Sequence, residues 1–215
     1  MFADRTDAGR QLGAALSGHK GQPLLVLALP RGGVPVGLEV ARVLDAPLDV
    51  MLVRKLRAPA HPELAIGAIV DGAPPQLLLD DHLVAATGAT PDHIAAETAR
   101  QLREIERRRQ AYRGGRPAPD TWGRTVIVVD DGIATGATMR IALKALARSG
   151  AARVIVAVPV APPDVLEKIR AEADEVVCLR TPEPFQAVGL HYRDFEQTSD
   201  EEVVRALAEA DRNRA

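Results

Sequence analysis

The chain has 215 residues, of which 47% are hydrophobic and 26% charged, with a formal net charge of −2 and a single cysteine, Cys178. This length suits one domain with an elaboration, or two small ones, and the balance is that of a soluble globular protein with a real core. A charge so near neutral gives no global field for nucleic acid or an acidic membrane surface; one cysteine excludes an intramolecular disulfide and a multi-cysteine metal cluster, and no apolar run approaches the roughly 20 residues that span a bilayer.

The charged opening, residues 1–7, has no apolar run behind it, so no secretory signal is expected and a cytoplasmic setting is. Residues 24–29 form a short apolar run ended by Pro30 and two glycines, which predicts a buried strand. A helix is expected over 34–44, a second strand over 48–53 and a third over 64–70, after a basic loop containing prolines. Residues 76–79 suit an edge strand. Residues 91–112 predict a long helix, with Thr90 as its cap and Pro91 in its first turn. Ile94, Thr98, Leu102 and Ile105 share its apolar stripe, while Arg103, Glu104, Glu106, Arg107, Arg108 and Arg109 read as a solvated face. A glycine- and proline-rich linker at 114–119 leads to a β-branched strand over 125–129, a helix over 138–149, strands over 153–158 and 176–179, and a closing helix over 201–210 with Asp200 as a possible cap. Continuous apolar strands with helices between them predict an α/β fold with a parallel sheet covered on both faces. The expected organisation is one domain, 1–215, with a helical insertion at 71–124 and a tail at 181–215.

The main chemical signal lies at the end of the 125–129 strand. Asp130 and Asp131 follow it directly, then a small-residue turn, Gly132-Ile133-Ala134-Thr135-Gly136-Ala137-Thr138, then a helix. Ligands of parallel sheets collect at the carboxyl ends of strands. A helix start offers unpaired N–H groups and a positive dipole end, so it favours an anion. Gly136 and Ala137 permit close approach, and Thr135 and Thr138 add hydroxyls. Two carboxylates would repel a phosphate, so they suit sugar hydroxyls or a bound Mg²⁺. Together these describe a site for a phosphorylated sugar. Acidic pockets of receiver-like domains and metal-dependent phosphatases also place carboxylates after a strand, but they do not need the turn that follows here. A Walker A loop is absent, since no Gly-Lys-Ser/Thr triplet occurs.

Residues 126–138 resemble the motif that binds 5-phosphoribosyl-1-pyrophosphate (PRPP) in type I phosphoribosyltransferases: four apolar residues, two acids, two variable residues, then an Ala/Thr/Asp-Thr-Gly-small-Thr turn. The resemblance runs over about 24–180 and is weaker over 71–124. It implies a parallel-sheet core with flanking helices and a small hood over the site. It also implies that Asp130 and Asp131 meet the ribose hydroxyls and that Ala134, Thr135, Gly136, Ala137 and Thr138 hold the 5-phosphate. Pro30-Arg31-Gly32-Gly33, after the first strand, resembles the family's pyrophosphate loop: Arg31 can bind phosphate oxygens through two N–H groups, and Gly32 and Gly33 allow unusual backbone angles. By the same resemblance a cis peptide bond is expected between Pro30 and Arg31. Arg54 and Lys55 stand where such enzymes carry a mobile loop that closes over PRPP, where their charge would stabilise the leaving pyrophosphate.

The resemblance implies transfer of the phosphoribosyl group to a nitrogenous acceptor, Mg²⁺ as cofactor with Asp130 and Asp131 as its protein ligands, no nucleic-acid or membrane partner, and a homodimer. A regulator that senses PRPP or a nucleotide on the same fold is the alternative. The position that holds an Asp in hypoxanthine–guanine enzymes is Ala134 here, which argues against that subgroup. Glu63, Asp194 and Glu196 are open candidates for a general base. The aromatic cluster with Phe185, Tyr192 and Phe195 either stacks on an acceptor or anchors the tail. The five histidines show no ligand spacing, so no zinc site is expected.

Overall fold

The computed structural model of the protein describes residues 1–72 and 74–212; Ala73, inside the expected 71–124 insertion, and positions 213–215 of the expected tail lie outside the described residues. In chain order the elements are α1 (Arg5–Ala15), β1 (Leu24–Ala28), α2 (Gly33–Leu44), β2 (Leu48–Val50), β3 (Val53–Arg57), β4 (Ala65–Val70), β5 (Gln76–Leu79), α3 (Asp81–Thr87), α4 (Pro91–Arg113), β6 (Thr125–Val129), α5 (Ala137–Leu146), β7 (Arg153–Val160), α6 (Pro163–Arg170), β8 (Glu175–Arg180) and α7 (Asp200–Arg212). They fall into two compact units, one of Met1–Met51 with Pro119–Ala215 and one of Leu52–Ala118. No helix among the described residues is long and apolar enough to cross a membrane.

The first unit is the expected α/β core. Its five strands are all parallel, in the order β2-β1-β6-β7-β8. Every residue of β1 and β6 is buried, as is all of β7 after Arg153. Each such Val, Ile or Leu contributes about 2 kcal/mol on leaving water, so a strand covered on both faces reads as an unbroken apolar run. β1 and β6 are neighbours in register from Leu24↔Thr125 to Ala28↔Val129. The chain leaves β1 towards β2 on one side and later returns to β6 on the other. The strand order therefore reverses between β1 and β6, and a crevice opens at their carboxyl ends. Both candidate loops, 30–33 and 130–138, leave the sheet at that point.

Two helices of this unit are not anticipated from periodicity. α1 starts where Asp4 accepts the Asp7 N–H at 2.7 Å. Its buried face is Ala8, Gly9, Leu12 and Gly13, too small-sided to register as an apolar stripe. α6 spans only eight residues and opens on Pro163.

The second unit corrects three expectations. The strand over 48–53 is two strands, because the chain breaks at Met51 and Leu52 and β3 joins another sheet. That sheet, β3-β4-β5, is antiparallel, not parallel. Residues 58–64 are too few for a parallel crossover but enough for a hairpin, closed by the Ala58 N–H on the Leu64 carbonyl at 2.8 Å. Arg54 and Lys55 accordingly lie on β3 and not in a loop; Leu56 is fully buried while Lys55 and Arg57 on either side face outward, the alternation of a half-buried strand. The edge strand over 76–79 is β5. α3, also unanticipated, is capped by Asp80 and has no buried residue to mark it in the sequence.

α4 forms where expected, with the Thr90 hydroxyl accepting the His93 N–H at 3.2 Å, and runs one residue further to a left-handed Gly114. Its buried face differs from the predicted stripe. Of Ile94, Thr98, Leu102 and Ile105, only Ile105 is buried, and the covered positions are Glu97, Gln101, Ile105, Tyr112 and Arg113. Polar partners explain the shift. Glu97 accepts the Arg57 backbone N–H at 3.3 Å and the Gln101 amide at 2.9 Å, and Arg54 Nε donates to Gln101 Oε1 at 3.0 Å. Hydrogen bonds from Arg100 and Gln101 hold the Glu97 carboxyl down at about 2. A carboxyl with a depressed folded value stabilises the fold above its ordinary value of 4.5 and loses that contribution as pH falls towards 2. Acid unfolding should therefore begin between those values. Glu97→Gln should flatten that part of a stability-versus-pH curve; an unchanged curve would show that Glu97 plays no such part.

Candidate active site

β6 ends at Val129, and the chain turns out through Asp130 and Asp131. The Ile133 N–H donates to the Val160 carbonyl at 2.9 Å, which ties this turn to the end of β7. Gly136 then adopts φ 75°, the left-handed region, and starts α5. A Cβ there would also come within 2.7 Å of Val165, so both conformation and space call for glycine. Gly136 has no side chain to cap α5, and the Ala137 N–H makes only a 3.5 Å contact with the Thr135 hydroxyl. The positive end of α5 thus opens on the turn formed by Ala134, Thr135, Gly136, Ala137 and Thr138.

The loop after β1 lies directly against this one. The Leu29 N–H donates to the Val129 carbonyl at 2.8 Å, and the Pro30–Arg31 peptide bond is cis, as expected. A Cβ on Gly32 would stand 2.0 Å from Asp131 Oδ2, and one on Gly33 would stand 2.7 Å from the Val129 carbonyl oxygen. Only glycines let the two loops meet. Arg31 is partly exposed, 3.6 Å from the Asp200 carboxylate at the start of α7.

The two carboxyls differ in their surroundings. Burial, and then the neighbouring Asp131 charge, push the Asp130 carboxyl well above its ordinary value. Asp130 Oδ1 accepts the Asp131 backbone N–H at 2.9 Å. Burial also raises Asp131, but Arg5 opposes it. Arg5 Nε donates to Asp131 Oδ2 at 2.8 Å, with the two side chains only 12% and 15% exposed. The Tyr192 hydroxyl donates to the Asp131 carbonyl oxygen, and burial raises that phenol. Arg5 carries no signal in its local sequence, a charged opening, and Tyr192 is marked only by the aromatic cluster of the tail. Asp200 is legible only as a helix start.

Among the described residues no group of three or more His, Cys, Asp or Glu could hold a metal ion. Asp130 and Asp131 alone therefore make no protein cage. They fit a Mg²⁺ that keeps waters and takes most of its oxygens from a phosphorylated ligand.

The remaining candidates are more dispersed. Arg54 and Lys55 belong to the second unit, where Arg54 is engaged by Gln101 and Lys55 is exposed. Glu63 is in the same unit, exposed, with the His61 ring at 3.5 Å. Asp194 accepts the Glu196 N–H at 3.2 Å, and the Glu196 carbonyl accepts from Arg5 at 2.6 Å. Phe195 anchors the tail: it packs on Tyr192, with ring centroids 4.9 Å apart, beside the buried Phe2. Phe185 stacks on the His191 ring at 5.5 Å.

Comparison with known proteins gives consistent results. The family model of the phosphoribosyl transferase domain matches residues 4–194. Proteins from two strains of Mycobacterium tuberculosis, provisionally named phosphoribosyl transferases, are 48% identical over 213 residues, covering 99% of this chain and 48% of theirs. The chain thus spans about half the length of these curated relatives. The crystal structure of the Thermus thermophilus protein TT1426 superposes with a TM-score of 0.84 at 45% identity, covering 97% of this chain and 98% of that one. The Aquifex aeolicus protein AQ2163, at 12% identity and a TM-score of 0.50 over 94% of this chain and 86% of that one, shares the fold alone.

Proposed function

Since this chain belongs to the phosphoribosyl transferase family, we propose that it transfers the 5-phosphoribosyl group of PRPP to a nitrogenous base or related acceptor and releases pyrophosphate. The observation that carries this reading is the contact of two loops at the sheet's reversal point, with Gly32 against the Asp131 carboxylate. One loop offers an open helix start and two carboxylates; the other offers Arg31. That pairing suits a ligand with a phosphate at one end, hydroxyls in the middle and a second phosphate group at the other. Ribose 5-phosphate alone would not require the second loop.

In this reading the turn at 134–138 holds the 5-phosphate, with Thr135 and Thr138 adding hydroxyl donors. Asp130 and Asp131 accept from the ribose hydroxyls and fix C1 in line with the incoming nitrogen. The C–N bond forms at C1 as its bond to the pyrophosphate oxygen breaks, through a transition state with oxocarbenium character. Positioning and charge stabilisation at both ends supply the rate. Arg31 meets the charge that grows on the leaving group. Mg²⁺, when bound with PRPP, supplies further neutralisation of those oxygens, with Asp130 and Asp131 as candidate ligands. A homodimer accompanies the reading by family resemblance, and light scattering tests it.

The test is pyrophosphate release from PRPP and Mg²⁺ in the presence of a panel of purines, pyrimidines and other amines. Release dependent on one acceptor supports the transferase. PRPP binding without turnover across the panel would favour a sensor, and no binding of PRPP or of a ribose 5-phosphate nucleotide would sink both. Of Arg54 and Lys55, which the family resemblance assigns to the leaving pyrophosphate, Lys55 is the better candidate for assisting its departure, since Arg54 is held by Gln101. Lys55→Ala is expected to lower kcat by about tenfold or more, with a smaller change in KM for PRPP. A rise in KM with kcat unchanged would assign Lys55 to binding instead.

A further inference from the structure

We propose that Arg5 is a positioning residue that aims the Asp131 carboxylate at a ribose hydroxyl. The proposal rests on the transferase reading only in taking a ribose phosphate as the ligand.

The N-terminal segment is stitched to the tail so that Arg5 arrives at the site. The Phe2 N–H donates to the His191 carbonyl at 2.8 Å, the Arg193 N–H to the Phe2 carbonyl at 2.9 Å, and the Asp194 N–H to the Ala3 carbonyl at 3.0 Å. Phe2 is fully buried, 5.4 Å from the Tyr192 ring. Asp4 then starts α1, which puts Arg5 in its first turn. A cation there opposes the helix dipole, so Arg5 does not serve its own helix. Its guanidinium is held on three sides: Nε on Asp131 Oδ2 at 2.8 Å, a terminal N–H on the Glu196 carbonyl at 2.6 Å, and its plane over the Phe195 ring at 3.9 Å. Such restraint resists the rotamer freedom that weakens exposed ion pairs.

The physical need is local. Asp131 adjoins a second half-buried carboxyl, that of Asp130, and two carboxylates side by side repel one another. One guanidinium N–H takes one oxygen of Asp131 and leaves acceptor capacity on the other. The carboxylate is thereby kept in one rotamer. Without Arg5 it is free to turn away from Asp130, and it becomes a poorer acceptor for a sugar hydroxyl.

The readout is discrimination between hydroxylated and deoxygenated ligands, measured on the whole chain. Affinities for ribose 5-phosphate and for its 2-deoxy and 3-deoxy analogues would be obtained by calorimetry or by displacement of PRPP, in the parent and in Arg5→Ala, Arg5→Gln and Arg5→Lys. In the parent at least one deoxy analogue should bind about tenfold more weakly than ribose 5-phosphate. In Arg5→Ala that ratio should fall towards one, with ribose 5-phosphate losing affinity and the deoxy analogue changing little. Arg5→Lys should recover part of the ratio and Arg5→Gln less. Unchanged ratios in the variants would overturn the proposal even if every affinity fell together, since a merely structural residue weakens all ligands alike. If Arg5→Ala does not fold, equal ratios in Arg5→Gln and the parent overturn it equally. A parent that binds ribose 5-phosphate without any preference over its deoxy analogues would overturn the ribose assignment itself, and with it the proposal.

Discussion

Changing Asp130 and Asp131 together to Asn is expected to weaken PRPP binding by about a hundredfold, the loss of two hydrogen bonds to charged acceptors at about tenfold or more each. The same change exposes a trade between function and stability. The folded Asp130 carboxyl sits well above its ordinary value of 3.8, because burial and the adjacent Asp131 both disfavour its charge. The native state therefore holds this proton more tightly than the unfolded chain does. Stability contributed by Asp130 is present at low pH and lost as pH rises from about the ordinary value through the raised one, so at neutral pH the ionised group is a net cost. Asp130→Asn alone should thus raise Tm at neutral pH while weakening PRPP. Asp131→Asn should not stabilise in the same way, because it breaks the 2.8 Å pair with Arg5. Normal PRPP affinity in the double variant would contradict the role assigned to the pair. A lower Tm for Asp130→Asn would contradict the electrostatic account.

Asp71→Ala should be among the most destabilising single changes in the second unit, at about 3–5 kcal/mol. Asp71 follows β4 and is enclosed by two arginines one turn apart on α4: Arg109 reaches Oδ1 and Arg113 reaches Oδ2, each at 2.5 Å. The Asp71 and Arg113 side chains are 1% and 2% exposed. Truncating the carboxylate leaves the Arg113 guanidinium buried beside two fewer acceptor oxygens, where water cannot compensate. Asp71→Asn keeps one acceptor in place and should cost less. Denaturant unfolding of both variants tests this, and near-parent stability for Asp71→Ala would mean that the ion cluster contributes little. The cluster also explains why Arg109 is not on the solvated face that its neighbours in the sequence suggest. Arg107 does stay there, paired with Glu104 at 2.9 Å, while Arg108 is half-buried and pairs with the same carboxylate at 2.8 Å.

The core strands and both loops of the candidate site were legible in the sequence because their signals are local. A β-branched apolar run such as 126–129 reads as a strand covered on both faces, and two acids with a small-residue turn after it read as the carboxyl end of that strand before a helix start. Pro30, Arg31, Gly32 and Gly33 were legible for the same reason. Other features came from tertiary structure alone. The 48–53 run shows one strand in the sequence, yet it breaks at Met51 and Leu52, and its last residue, Val53, starts a hairpin whose pairing depends on residues 65–70. The buried face of α4 was set by Glu97 and Gln101 bonding to β3, and hydrophobic periodicity cannot see a buried polar residue whose partner lies elsewhere. Arg5 is the clearest case. It meets Asp131 across 126 positions of sequence. That contact exists because Phe2 is buried against the tail and because the tail closes over the end of β6. The sequence alone marked the end of that strand as the candidate phosphate-and-hydroxyl site; only the folded chain decided which cation stands beside its second carboxylate, since ion-pair partners are chosen by where the backbone brings them and leave no pattern in either stretch.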